Sequence, residues 1–169
     1  MYMNTSPVTN VFCQMYSIEY PEVDDNFHLS ITFADGLCAY IEVATNNYIT
    51  MPRWYVLGTD GTLKIDGWDC NGEIVRVIDK ENVWDEEIFM TKAGPTKTMA
   101  PRRPESVERI PLCEPDDVVD SLSCVYDQLV DAIEGAELKI KPEQALRVMK
   151  VMEAAFLSHE QKQAIKTNI

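Results

Sequence analysis

The chain has 169 residues, 46% hydrophobic and 25% charged, which fits an ordinary globular protein able to bury one core without disulfide or metal staples. A formal net charge of −13 argues against DNA or RNA as a partner, because that binding rests on Lys and Arg neutralising phosphates. No apolar run approaches the roughly 18 residues that a membrane span needs, and Met1 to Asn10, lacking Lys, Arg and an apolar segment, does not read as a secretory signal.

The first half reads as strands. Val8 to Tyr20 mixes β-branched and aromatic residues before Pro21. Phe27, Leu29, Ile31 and Phe33 then alternate with His28, Ser30 and Thr32, the period of two of a strand with one apolar face. Asp35-Gly36 signals a hairpin, after which Leu37, Ala39, Ile41 and Val43 continue the apolar face on a second strand. Arg53 to Gly58, Thr62 to Asp66 and Glu73 to Asp79 read as further strands, joined at the turn signals Asp60-Gly61 and Asn71-Gly72. The series describes an antiparallel meander. Lys80 to Pro115 holds five of the nine prolines and reads as a long excursion with one short strand near Val83 to Met90.

The last third reads as helices. Asp116 to Glu134 places Val118, Leu122, Val125, Leu129 and Ile133 at spacings of three and four, and Gly135 is a natural stop. Pro142 suits a first helical position, and Ala145, Val148, Met149, Met152, Ala155 and Phe156 are expected as the inner face of a second helix, with the methionines as core. Strands first and helices after imply one α+β domain over residues 1–169, an open, mostly antiparallel sheet with helices packed on one face. The opposite face of the two central strands would show His28, Ser30, Thr32, Cys38, Tyr40 and Glu42, a mixture that suits a surface covered by a partner as well as one left wet.

Chemistry-bearing patterns are scarce. The seven glycines contain no Gly-x-Gly pair, so the dinucleotide fingerprint is absent, as is the phosphate loop. Gly58-Thr59-Asp60-Gly61 reads as a hairpin. His28 and His159 lie far apart and near no nucleophile elbow, and Asp24-Asp25 precedes a strand, where adjacent carboxylates point apart. The five cysteines, Cys13, Cys38, Cys70, Cys113 and Cys124, form no C-x-x-C pair, so no metal site is expected and reduced thiols in a cytoplasmic protein are the plain reading. Ten Asp and Glu against Arg109 alone between Pro104 and Glu137 suit either a cation-binding surface or, preferably, a solvated helix face and loop.

Three ordered segments add a resemblance. Met51-Pro52-Arg53-Trp54-Tyr55-Val56-Leu57-Gly58-Thr59-Asp60-Gly61-Thr62-Leu63-Lys64-Ile65, the hairpin Asp25 to Val43 before it, and the ending from Val125 through Gly135 and Pro142 to Ser158 together resemble the second domain of the glucose–fructose oxidoreductase / inositol dehydrogenase (Gfo/Idh/MocA) family. The resemblance implies a dihydrodipicolinate-reductase-like C-terminal fold that forms one wall of a sugar or polyol substrate cleft and builds a homo-oligomer, a dimer, through its exposed sheet face. It implies NAD or NADP for a full-length member, bound by an amino-terminal domain, with no cofactor in this chain.

The family's Glu-Lys-Pro and Asp-x-x-x-His motifs have no counterpart among these residues, so no catalytic residue carries over and no activity is expected of the chain alone. Arg53 and Trp54 are the candidate substrate-binding residues, since Arg donates in a fixed fork and Trp stacks on sugar faces. The competing reading, which weighs more, has Trp54 packed under the helices and Arg53 paired with a carboxylate of a neighbouring strand. Trp84 is a further weak candidate. The alternative function is a stand-alone interaction or ligand-binding module without redox activity.

Overall fold

The computed structural model describes residues 4–81, 84–113 and 121–169. In chain order its elements are β1 (Val8–Tyr16), β2 (Asn26–Phe33), β3 (Cys38–Ala44), β4 (Trp54–Leu57), β5 (Gly61–Ile65), β6 (Gly72–Val77), β7 (Trp84–Thr91), β8 (Gly94–Arg102), a 3-10 turn (Pro104–Ser106), β9 (Val107–Leu112), α1 (Ser121–Ile133), α2 (Pro142–Gln161) and β10 (Ile165–Lys166). The fold is α+β and every strand pair is antiparallel, as expected. The strands divide among three sheets, in the orders β10-β1-β2-β3, β4-β5-β6-β9 and β7-β8. Two compact units result, Met1–Tyr48 with Asp120–Ile169, and Ile49–Val119.

The first unit holds the core. Register pairs Val11 with Ile31 and Cys13 with Leu29 on β1 and β2, and Ile31 with Ala39 on β3. Val8, Val11, Cys13, Ile31 and Phe33 are buried together with Val151, Ala154 and Ala155 of α2, which packs on β1. The period of two in β2 therefore reports a sheet with one face covered by a helix. Phe33 to Leu37 closes the first hairpin, where Gly36 has φ 88° and Asp35 Oδ1 accepts the Leu37 N–H at 3.1 Å.

Helix α2 starts where Pro142 was expected. The Lys141 N–H donates to Gln144 Oε1 at 2.8 Å, the reach-back half of a capping box. Its inner face differs from the expected one. Val151, Ala154, Ala155 and Ser158 are buried, whereas Val148, Met149, Met152 and Phe156 are exposed. Of the expected inward set only Ala155 is buried. The helix approaches β1 through small side chains, and a ridge of methionines would hold it off. Arg147 adds a polar tie, donating to the carbonyls of Asn4 (2.8 Å), Ser6 and Ile169 (3.3 Å). The segments before β1 and after β10 are thereby fastened to one helix.

For α1, the expected Val118 lies outside the described residues, and Val125, Leu129 and Ile133 are exposed. Its end matches the expectation. Gly135 has φ 106°, its N–H donates to the Ala132 carbonyl at 3.1 Å, and the Ala136 N–H donates to Asp131 at 2.8 Å, the two bonds of a Schellman stop.

In the second unit the 80–115 stretch corrects the sequence reading. It carries the β7-β8 hairpin and β9, where one short strand was expected. Pro111 lies in β9, an edge strand, and Pro95 in β8, half of a two-stranded hairpin, both places where a missing N–H is tolerated. Gly61 and Gly72 also differ from the expectation. Both begin strands and neither is among the glycines of positive φ; the left-handed residue of the 66–71 loop is Cys70, φ 56°. A Cβ at Gly72 would lie 2.0 Å from the Lys64 carbonyl oxygen, and one at Gly61 2.6 Å from that of Val75. These glycines permit close strand approach.

Candidate functional site

Of the two sequence candidates, Trp54 sits on β4 opposite Ile65 and is 51% exposed. Arg53, immediately before the strand, lies at the mouth of the 66–71 loop. Its guanidinium carbon stands 3.2 Å from the centroid of the Trp68 ring. It thus stacks on an aromatic face where a carboxylate partner was the favoured expectation. The contact was missed from sequence because Gly67 to Gly72 reads only as a turn. The available signal was register: pairing Trp54 with Ile65 sets position 53 against position 66, at the start of that loop. Trp84 lies in β7 and pairs with Arg102 in the backbone register.

The loop is held by its own polar groups. The Asp66 N–H donates to the Asn71 carbonyl at 2.9 Å, and Asn71 donates from its backbone (3.3 Å) and its side-chain amide (2.6 Å) to Asp69. Nearby, Lys64 pairs with Asp66 at 3.0 Å. On the rest of this sheet, Arg76 pairs with Glu108 (2.5 Å) and Arg109 with Glu73 (2.7 Å), and Lys80 reaches Asp60 at 2.6 Å.

In the first unit, the face of the sheet away from α2 carries Phe12, Gln14 and Tyr16 on β1, His28, Ser30 and Thr32 on β2, and Cys38, Tyr40 and Glu42 on β3. The last six are the residues that the sequence alternation assigned to it. Tyr40 is 81% exposed. His28 Nε2 lies 3.7 Å from Glu42 Oε1, and the Tyr16 and His28 rings meet edge to face at 6.1 Å. Among these nine residues Glu42 is the only carboxylate, in a chain with 28 Asp and Glu.

The Asp24-Asp25 pair resolves into a structural role for its second member. Asp25 is buried and accepts N–H bonds from Ile18 (2.9 Å), Glu19 (2.7 Å) and Tyr20 (2.9 Å), and from the Asn26 amide (2.6 Å). These donors, the Ile18 N–H foremost, hold its carboxyl down to about 2 against the opposing effect of burial. A carboxylate so fully engaged anchors the 17–25 turn and has no capacity left for acid–base work.

Among the described residues no cluster of three His, Cys, Asp or Glu could hold a metal, and no helix is long and apolar enough to cross a membrane. The five cysteines are unbridged. Burial, then the charge of Asp24, raises the Cys13 thiol above its usual range, which keeps it protonated and inert. The sequence holds no Gly-x-Gly pair, and α2, whose described start follows Lys141, offers no glycine turn for a dinucleotide pyrophosphate. A shallow cavity of about 280 Å³ beside α1 is lined by Cys124, Val125, Gln128, Lys139 and Ile140 and contains no acid–base pair.

An antiparallel α+β domain with this strand order is the class that the structure defines. Residues 1–64 match the model of the GFO/IDH/MocA C-terminal domain. The chain superposes on an NAD-binding protein from Listeria innocua with a TM-score of 0.84 and 34% identity, over 98% of this chain and 47% of that one. By that match and that likeness the chain resembles the C-terminal domain of the GFO/IDH/MocA family. Two further structures share the fold alone. One is the aldose-aldose oxidoreductase from Caulobacter crescentus complexed with glycerol (TM-score 0.63, 16% identity, 96% of this chain and 42% of that one). The other is the WlbA dehydrogenase from Bordetella pertussis in complex with NADH and UDP-GlcNAcA (TM-score 0.59, 15% identity, 98% and 42%). The chain spans about half the length of the solved structures that it matches. No curated protein sequence matches it.

Proposed function

We propose that this chain is the substrate-cleft and oligomerisation domain of an NAD- or NADP-dependent sugar or polyol oxidoreductase, with cofactor binding and catalytic groups supplied by a separate dinucleotide-binding domain. The observation that carries the reading is the likeness at 34% identity, over nearly the whole chain, to an NAD-binding protein about twice as long, when this sequence holds no Gly-x-Gly fingerprint.

The oligomer forms through the sheet face of Tyr16, His28, Tyr40 and Glu42. A chain of net charge −13 repels its own copies, and this face is the acid-poor exception on which two copies can stack without opposing carboxylates. Arg53 and Trp54 belong to the unit that contributes the cleft wall.

Two experiments test this. The dinucleotide-binding domain of the Listeria protein, fused ahead of residue 1, is expected to give nicotinamide-dependent oxidation of a sugar or polyol; a folded but inert fusion overturns the redox reading. Light scattering on the 169-residue chain is expected to return a dimer that Tyr40→Glu converts to monomer, and a wild-type monomer overturns the assembly reading.

A further inference from the structure

We propose that Trp68, backed by Arg53, is a stacking platform for the ring face of an uncharged sugar or polyol. This deepens the substrate reading above and rests on it for the ligand class.

Trp68 is 85% exposed. An indole left in water on a loop tip forgoes the burial that aromatic side chains ordinarily gain, yet its surroundings are ordered to hold it there. The 66–71 loop is pinned by the Asp66–Asn71 and Asn71–Asp69 bonds. Arg53 takes one face of the ring at 3.2 Å. In an acidic chain a basic side chain ordinarily finds a carboxylate, as Lys64, Arg76, Lys80 and Arg109 do in this same unit. Among the described residues Arg53 has none, and its guanidinium carbon sits over the indole instead, a cation–π contact that favours this placement of the ring.

One face is therefore spent on Arg53 and the other is presented to solvent. That presented face is apolar and flat, and it matches the C–H face of a pyranose or cyclic polyol. Asp69, in the same loop, keeps acceptor lone pairs beyond its two bonds from Asn71 that can take a ligand hydroxyl. Charge selects against acidic ligands. Arg53 and Lys64 are balanced by Asp66 and Asp69, and the chain as a whole is strongly negative, so a carboxylate gains no attraction here.

The test is a ¹H–¹⁵N titration of the whole 169-residue chain with methyl β-D-glucopyranoside and with myo-inositol, using D-glucuronate as the charged comparison. The Trp68 indole N–H and the amides of residues 66–71 are expected to shift saturably with the neutral ligands and several-fold more weakly with glucuronate. Trp68→Ala is expected to abolish the shifts while leaving the remaining amide spectrum in place, because the side chain is exposed. Arg53→Gln is expected to weaken binding by about two- to fivefold, the worth of an exposed cation–π contact. No saturable shift at Trp68, tighter binding of glucuronate, or binding that survives Trp68→Ala overturns the platform. An active fusion enzyme without these shifts overturns the platform alone, and shifts at Trp68 with an inert fusion uphold it while overturning the redox reading.

Discussion

Ser158, near the end of α2, accepts the backbone N–H of Cys13 at 2.9 Å and so completes the outer edge of β1. Strand β10 pairs with β1 only at Asn10 and Val11. Beyond that point the edge N–H groups turn to the helix, Cys13 to Ser158 Oγ and Met15 to His159 Nδ1 at 3.1 Å. Ser158 also donates to the Gln163 carbonyl at 2.7 Å, tying the chain that leaves the helix. One hydroxyl thus joins helix, strand and the turn into β10. Ser158→Ala leaves a buried N–H and a carbonyl without partners, at a cost of about 1–3 kcal/mol. Urea denaturation is expected to show a lower midpoint with an unchanged slope; an unchanged midpoint would mean that water replaces the hydroxyl.

Asp25 makes acid stability predictable in direction. Its folded carboxyl titrates at about 2, below the ordinary Asp value of 3.8. A depressed folded value means that the contribution is complete above the unfolded value and is lost as pH falls from about 4 through about 2. Asp25→Asn is therefore expected to be less stable than the native chain at pH 7, with the gap narrowing toward pH 2. Thermal midpoints measured across that range check it; a gap constant with pH would place the Asp25 contribution outside its charge.

Gly72 and Gly36 are expected to respond differently to alanine. At Gly36 a Cβ meets nothing within 4 Å, so the cost is that of a positive φ, about 1–2 kcal/mol. At Gly72 the Cβ would meet the Lys64 carbonyl oxygen and the Ile65 Cα, both backbone atoms that move only if the β5-β6 pair moves. Gly72→Ala is expected to be the more damaging, with loss of amide exchange protection in β5 and β6. Equal costs at the two sites would contradict the close approach of those strands.

The legible parts of this molecule are those where one physical cause dominates. The alternation of Phe27, Leu29, Ile31 and Phe33 survives in the structure because one sheet face is covered and the other is not. The Gly135 stop was readable because a left-handed residue ends the helix. Strands β8 and β9 were hidden because their prolines argue against strand interiors, and edges are exempt from that argument. The Arg53–Trp68 contact depends on a six-residue loop folding back, which no periodicity encodes, so the candidate Arg53 was readable and its aromatic partner was not.

Helix α2 shows most clearly how hydrophobicity alone misassigns a face. Met152 and Val151 are neighbours in sequence, and the larger, more flexible one was expected inward. In the structure Val151 is 4% exposed and Met152 is 47% exposed, because close packing on β1 selects small side chains at positions 151, 154, 155 and 158. Val151→Ala is therefore expected to cost about 1–3 kcal/mol through lost burial and a residual cavity against Val11 and its neighbours. Met152→Ala is expected to cost less than about 0.5 kcal/mol in the isolated chain, where its side chain is half in water. Chemical denaturation of the two variants side by side decides the matter, and a larger loss at Met152 would restore the methionine face to the core.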